Sequence, residues 1–173
     1  MNPVLENIKT RRSIRAFTDQ KVEKELLEEL IDAARYAPSG LNRQTWKFTV
    51  VQNPQMLEKL AKVIRETLNR GEDYCFYHAN VMIIVSNDRD NFLGAPDSAC
   101  ALENIFLAAH SLGLGSVWIN QLNDVYDVPE VRAVLDELNM PKNHAVYGMA
   151  AIGYPDEAGR PANKKTDVVE WVL

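Results

Sequence analysis

The stretch 99–114 is apolar around nearly its whole circumference, broken mainly by Glu103, Asn104, His110 and Ser111. A helix without a wet face has to lie at the centre of a fold or at a subunit contact. Residues 81–85, Val-Met-Ile-Ile-Val, form a continuous apolar run that reads as a strand buried on both faces. A central helix and a fully covered strand together demand a layered arrangement of helices on a sheet.

Further elements interleave with these two. Asn2-Pro3 and Asn53-Pro54 each pair a helix cap with proline at the first helical position, predicting helices to about Lys9 and about Asn69. Leu26, Leu27, Leu30, Ile31 and Ala34 recur at helical spacing, and the pattern stops at Ala37-Pro38-Ser39-Gly40. The charge run 23–29 reads as the wet face of that helix. Short strands are expected at 48–51, 117–120 and 145–152, a short helix at 129–138, and a last strand at 168–173. With 173 residues, 46% of them hydrophobic and 25% charged, the chain reads as one α/β or α+β domain spanning 1–173.

The net charge of -5 argues against a general nucleic-acid binder, which needs a broad basic face. Cys75 and Cys100 match no zinc or thioredoxin spacing, which suits a reducing compartment. No apolar signal segment follows Met1-Asn2-Pro3 and no stretch approaches the length of a membrane span, so the cytoplasm is the expected location. His78, His110 and His144 have no metal-pair spacing, and no metal site is expected.

Three segments carry chemistry. In Arg11-Arg12-Ser13-Ile14-Arg15, an extended backbone places Arg11, Ser13 and Arg15 on one side, where two guanidinium forks and a hydroxyl suit a dianionic phosphate. The alternative is a solvated basic turn against the negative end of a helix. In the block from Pro38 through Ser39, Asn42 and Gln44 to Trp46, two amides offer donors and acceptors for a heteroaromatic edge, although the same residues also make an ordinary turn. Gly113-Leu114-Gly115 is no dinucleotide fingerprint, because it follows a helix and precedes a strand; both glycines read as a helix stop.

Arg-Arg-Ser-Ile-Arg-Ala-Phe, Ala-Pro-Ser-Gly-Leu-Asn-Arg-Gln-Thr-Trp, Leu-Ala-Ala-His-Ser-Leu-Gly-Leu-Gly-Ser-Val-Trp-Ile and Ile-Gly-Tyr-Pro occur in this order along nearly the whole chain. In them the sequence resembles the nitroreductase family of FMN enzymes. The resemblance implies an α+β fold, a three-layer α-β-α sandwich with a mostly antiparallel central sheet. It also implies a homodimer with FMN at the subunit interface, and a C-terminal strand at 168–173 exchanged with the partner. Arg11, Arg12 and Ser13 would hold the phosphate and ribityl end, and Arg15 would approach N1 and O2 of the ring. Pro38, Ser39, Asn42 and Gln44 would come from the partner chain. Trp118, Ile119 and Asn120 would lie along one ring face, with a backbone N–H near Asn120 at N5. Lys164 and Lys165, with Arg160 as an outside candidate, would close on the phosphate. Residues 68–80 offer no clear counterpart, Asn69 being only a guess.

The implied activity is transfer of electrons from NADH or NADPH, through the flavin, to an organic acceptor such as a nitroaromatic or a quinone. The flavin would carry the chemistry, with no catalytic side chain. Dehalogenation, flavin fragmentation, azoline oxidation and non-catalytic flavin binding are the alternatives on the same scaffold.

Overall fold

The computed structural model describes residues 2–173. Five helices, α1 (Pro3–Thr10), α2 (Lys24–Arg35), α3 (Pro54–Thr67), α4 (Gly94–Ser111) and α5 (Pro129–Glu137), interleave with four strands, β1 (Trp46–Val51), β2 (Val81–Asp88), β3 (Gly115–Ile119) and β4 (His144–Gly153). The strands form one antiparallel sheet in the order β1-β2-β4-β3.

The period-2 alternation of β2 explains why helices cover both faces. Met82 and Ile84 pack with Leu60 and Ile64 of α3 and Val131 and Leu135 of α5. Ile83 and Val85 pack with Leu27 and Leu30 of α2 and Leu102 and Ile105 of α4 on the other side. The result is the expected three-layer sandwich. On α2 the charged face is wet and Leu30 is fully buried, as the spacing predicts.

Two expectations are corrected. The central helix starts at Gly94 rather than near residue 99, because its first turn carries Pro96 and the buried Asp97 and Ser98, which interrupt the apolar pattern but suit a helix start. Gly113 does end the helix region, with φ +77°, but Gly115 opens β3. Glycine is needed there because a Cβ would lie 2.9 Å from Ile14. Residues 168–173, expected as a strand exchanged with a partner chain, pair with no strand of their own chain. A strand needs a paired neighbour, and these residues run exposed, with Trp171 at 75% and Val172 at 92% accessibility.

The two sheet edges differ. The outer edge of β3 is covered by the segment after α1, where Ser13 bridges Ser116 in parallel and the Ile14 N–H donates to the Ser116 carbonyl at 3.0 Å. The outer edge of β1 pairs with no strand among the described residues.

Candidate functional site

The sheet edge at β3 gathers the first and third sequence blocks. Ile14 points inward and is buried, so the alternating backbone turns Ser13 and Arg15 to the opposite side. Their chain direction runs parallel to Ser116, Val117 and Trp118. The Arg15 N–H donates to Glu157 Oε1, and its guanidinium carbon lies 5.9 Å from the Tyr77 ring centroid. Neither Arg11 nor Arg15 pairs with a carboxylate side chain among the described residues. Arg12 behaves differently. Its Nη1 donates to the carbonyls of Lys9 and Arg11 at 2.8 and 2.7 Å, so the helix-end alternative holds for this residue.

Trp118 packs over the α4 side of β3, 6.0 Å from the Phe106 ring, and fills the space a Cβ at Gly148 would take. Its Nε1 donates to Asn120 Oδ1 at 3.3 Å, leaving the indole 39% exposed. Ile119 is buried on the opposite face, and Asn120 leaves the strand at its exposed end.

The second block lies elsewhere. After α2, Pro38 and Ser39 lead into a turn at Gly40–Asn42 in which Leu41, Asn42 and Gln44 all have φ near +50° (54°, 53° and 49°). Asp97 holds this turn, accepting from Gly40 N–H at 2.9 Å while its second oxygen accepts from Asn91 Nδ2 at 3.1 Å. Gly40 is pinned against Leu93, which a Cβ would strike at 2.1 Å. Gln44 Nε2 donates to Asn42 Oδ1 at 2.6 Å, and both side chains face outward.

Asp97 and His110 lie on the same helix, about 20 Å apart along its axis at a rise of about 1.5 Å per residue. His110 sits beside the Arg block. Its Nε2 is 2.8 Å from Thr10 Oγ1, and burial followed by the charges of Arg11 and Arg12 holds its pKa below the usual imidazole value. One chain therefore keeps the Arg11–Arg15 strip and the 38–44 turn at opposite ends of α4.

Past Tyr154 the chain crosses the Arg strip, with Asp156 N–H donating to the Ala16 carbonyl. Gly159, at φ +72°, lies where a Cβ would be 2.6 Å from Arg12 Cβ. Arg160, Lys164 and Lys165 follow, exposed and in no ion pair among the described residues.

Sequence reasoning missed the wall contributed by residues 70–77. A cavity of about 490 Å³ is lined by Arg70, Tyr74, Tyr77, Ile119 and Gln121, among others. Among the described residues the buried Tyr74 Oη and Gln121 Oε1 have no hydrogen-bond partner, and burial pushes the Tyr74 pKa up. The available signal was the aromatic cluster Tyr74, Phe76 and Tyr77, which has no helical or strand period. Asn69, with φ +48°, is the left-handed residue that ends α3. Among the described residues no cluster of three or more His, Cys, Asp or Glu is placed to hold a metal ion.

The nitroreductase family model matches residues 8–154. A crystal structure of a nitroreductase with bound FMN from Bacteroides fragilis superposes with a TM-score of 0.93 at 42% identity, covering 100% of both chains. A Methanothermobacter thermautotrophicus protein provisionally named NADH dehydrogenase/NAD(P)H nitroreductase is 38% identical over 159 residues, 89% of this chain and 78% of its own length. The FMN reductase [NAD(P)H] of Bacillus subtilis is 28% identical over 180 residues, 95% of this chain and 70% of its own. With the sheet order, the covered β3 edge and the family match in agreement, the chain belongs to the nitroreductase family.

Proposed function

We propose that this protein is an FMN-dependent oxidoreductase that takes electrons from NADH or NADPH and passes them to an organic acceptor such as a nitroaromatic or a quinone. The observation that carries the reading is the docking of the Arg11–Arg15 segment on the β3 edge, which sets Ser13 and Arg15 beside the strand that ends in Trp118 and Ile119, with Asn120 just past it. Two arginines without a carboxylate partner and a hydroxyl form a donor set that fits a phosphorylated flavin.

In this reading Arg11 and Ser13 hold the phosphate end, and Arg12 supports them by fixing the end of α1. Arg15 places a cation at the pyrimidine edge, where it stabilises negative charge on the reduced ring. Tyr77 keeps the Arg15 guanidinium in place. Trp118, Ile119 and Asn120 form the wall along the ring, and the backbone around Asn120 provides a donor toward N5. Bound FMN supplies the electron transfer itself, so no nucleophile or dedicated acid is required of the protein. Lys164, Lys165 or Arg160 closes on the phosphate.

The same reading calls for a homodimer of single-domain chains. Pro38, Ser39, Asn42 and Gln44 serve the partner's flavin, since within one chain they sit at the far end of α4 from the Arg strip. The exposed 168–173 tail pairs with the partner's sheet, for which the free edge of β1 is available; this would remove two aggregation-prone surfaces at once. No helix among the described residues is long and apolar enough to cross a membrane, and we place the protein in the cytoplasm.

Purification should give a yellow protein with one FMN per chain. A colourless protein that takes up no added FMN overturns the reading. Anaerobic mixing with NADH or NADPH should bleach the flavin, whereas a flavin that stays oxidised with both marks a binding protein instead of a reductase.

A further inference from the structure

Cys75 and His78 flank Tyr77 but have no part themselves in the proposed flavin site. Phe76, Tyr77 and His78 have φ of 52°, 60° and 57°, three consecutive left-handed residues none of which is glycine. Such a turn is sterically costly and persists only where surrounding contacts over-determine it. Here Phe76 is buried in the core, Tyr77 lies under Arg15, and the His78 N–H donates to the Cys75 carbonyl at 3.0 Å. The turn folds His78 back so that its Nε2 is 3.3 Å from Cys75 Sγ.

The pair is reachable. A cleft of about 490 Å³ is lined by Lys21, Gln52, Leu57, Cys75, His78 and Asn80, among others. Cys75 also lines the cavity that holds Tyr74, whose buried hydroxyl has no partner among the described residues. A soft nucleophile with a base in hydrogen-bond reach, set between two openings, has the arrangement of an activated thiol.

We propose that Cys75, with His78 as its base, is a modification site for soft α,β-unsaturated carbonyl electrophiles, the class that includes quinones. The thiol sulfur bonds to the β-carbon of the electrophile, and the π pair moves through to the carbonyl oxygen. His78 Nε2 takes the thiol proton and returns it to the enolate oxygen; with a quinone, the ring proton on the newly bonded carbon then passes through solvent to the second carbonyl oxygen, and the adduct becomes a hydroquinone thioether with no further oxidant or reductant. The choice of quinones as the natural electrophile rests on the proposed reductase activity; the dyad does not. A reductase that meets quinones would thus carry a site that records their excess.

The test uses N-ethylmaleimide on the protein as purified, with site-resolved mass spectrometry. Cys100 is exposed on α4 and serves as the internal reference, since no hydrogen-bonding side chain meets its sulfur among the described residues. Half-buried Cys75 should react at least about tenfold faster than Cys100 near neutral pH, through base assistance. The variant His78→Gln should bring it to the Cys100 rate or below. Equal rates in the wild type, or a slower Cys75, overturn the proposal, and so does an unchanged Cys75 rate in a folded His78→Gln. If that variant does not fold, Cys100→Ala should keep the fast phase and Cys75→Ala should lose it; the reverse pattern refutes the assignment. Labelling is read without turnover, so a protein that binds no flavin would refute the reductase reading and leave this result intact.

Discussion

Asp97 is 5% exposed, and both of its carboxylate oxygens are used, one by Gly40 N–H and one by Asn91 Nδ2. Replacing it by Ala leaves the part-buried Gly40 N–H and one hydrogen of Asn91 Nδ2 unmet, while Asn91 Nδ2 keeps its bond to Thr45 Oγ1 at 2.9 Å. A lost hydrogen bond of this type costs about 1–3 kcal/mol, so Asp97→Ala should lower the unfolding free energy by about 2–6 kcal/mol. Asp97→Asn retains one acceptor and should lose about half of that. Urea titration followed by tryptophan fluorescence measures it, and an unchanged m-value would show that the denatured state is unaffected. A loss below about 0.5 kcal/mol, the usual range for surface changes, would refute the view that Asp97 anchors the 38–44 turn.

The same residue tests which chain the turn serves. A mixed dimer can be assembled from one Arg11→Ala chain and one Asp97→Asn chain with different affinity tags. If the turn acts on the partner's flavin, the Asp97→Asn chain's intact Arg11 meets the other chain's intact turn, and one site per dimer survives. If the turn acts within its own chain, both sites are damaged. Flavin content of the isolated mixed dimer reads the difference: near half the wild-type amount supports exchange across the interface, and near zero refutes it.

Arg11→Ala should weaken FMN binding by about 1.5–3 kcal/mol, the worth of a charge-assisted contact, whereas Arg43→Ala, whose guanidinium lies over the exposed Phe92, should leave the affinity unchanged in a flavin titration. Gly148→Ala would put a Cβ 2.8 Å from Trp118 and 2.9 Å from Leu102. Overpacking of that kind costs about 1–3 kcal/mol, so a lower melting temperature and a shifted Trp emission are expected, and an unaltered protein would contradict the packing. Burial holds the His144 pKa below 6.5 in the fold, where its Nδ1 meets Ser86 Oγ. The unfolded chain therefore takes up that proton first as pH falls. Stability should decline from about pH 7 to about pH 5, and less steeply in His144→Gln; equal slopes by chemical denaturation would remove His144 from the account.

Local pattern was enough for the elements whose burial repeats along the chain. The apolar run at 81–85 and the near-uniform helix after it required covering layers on both sides, and β2 and α4 occupy the centre of the sandwich. Pro3 and Pro54 marked the starts of α1 and α3 because proline there costs no hydrogen bond. Alternation also predicted that Ser13 and Arg15 would share a side. Local pattern misplaced features that depend on distant partners. Gly115 reads as a helix stop until Ile14 is seen against it.

The sequence by itself determined the layered class, the order of its elements and, through its ordered blocks, the family. It did so because burial period and cap chemistry are properties of neighbouring residues. Only the tertiary structure decided that Arg12 caps a helix while Arg15 rests on Tyr77, that Asp97 anchors a turn 57 positions earlier in the chain, and that Cys75 meets His78. Those outcomes rest on the left-handed residues Leu41, Asn42, Gln44 and 76–78 and on contacts between distant segments. A left-handed residue without glycine leaves no signature in the sequence, because what holds it is packing contributed from elsewhere in the fold.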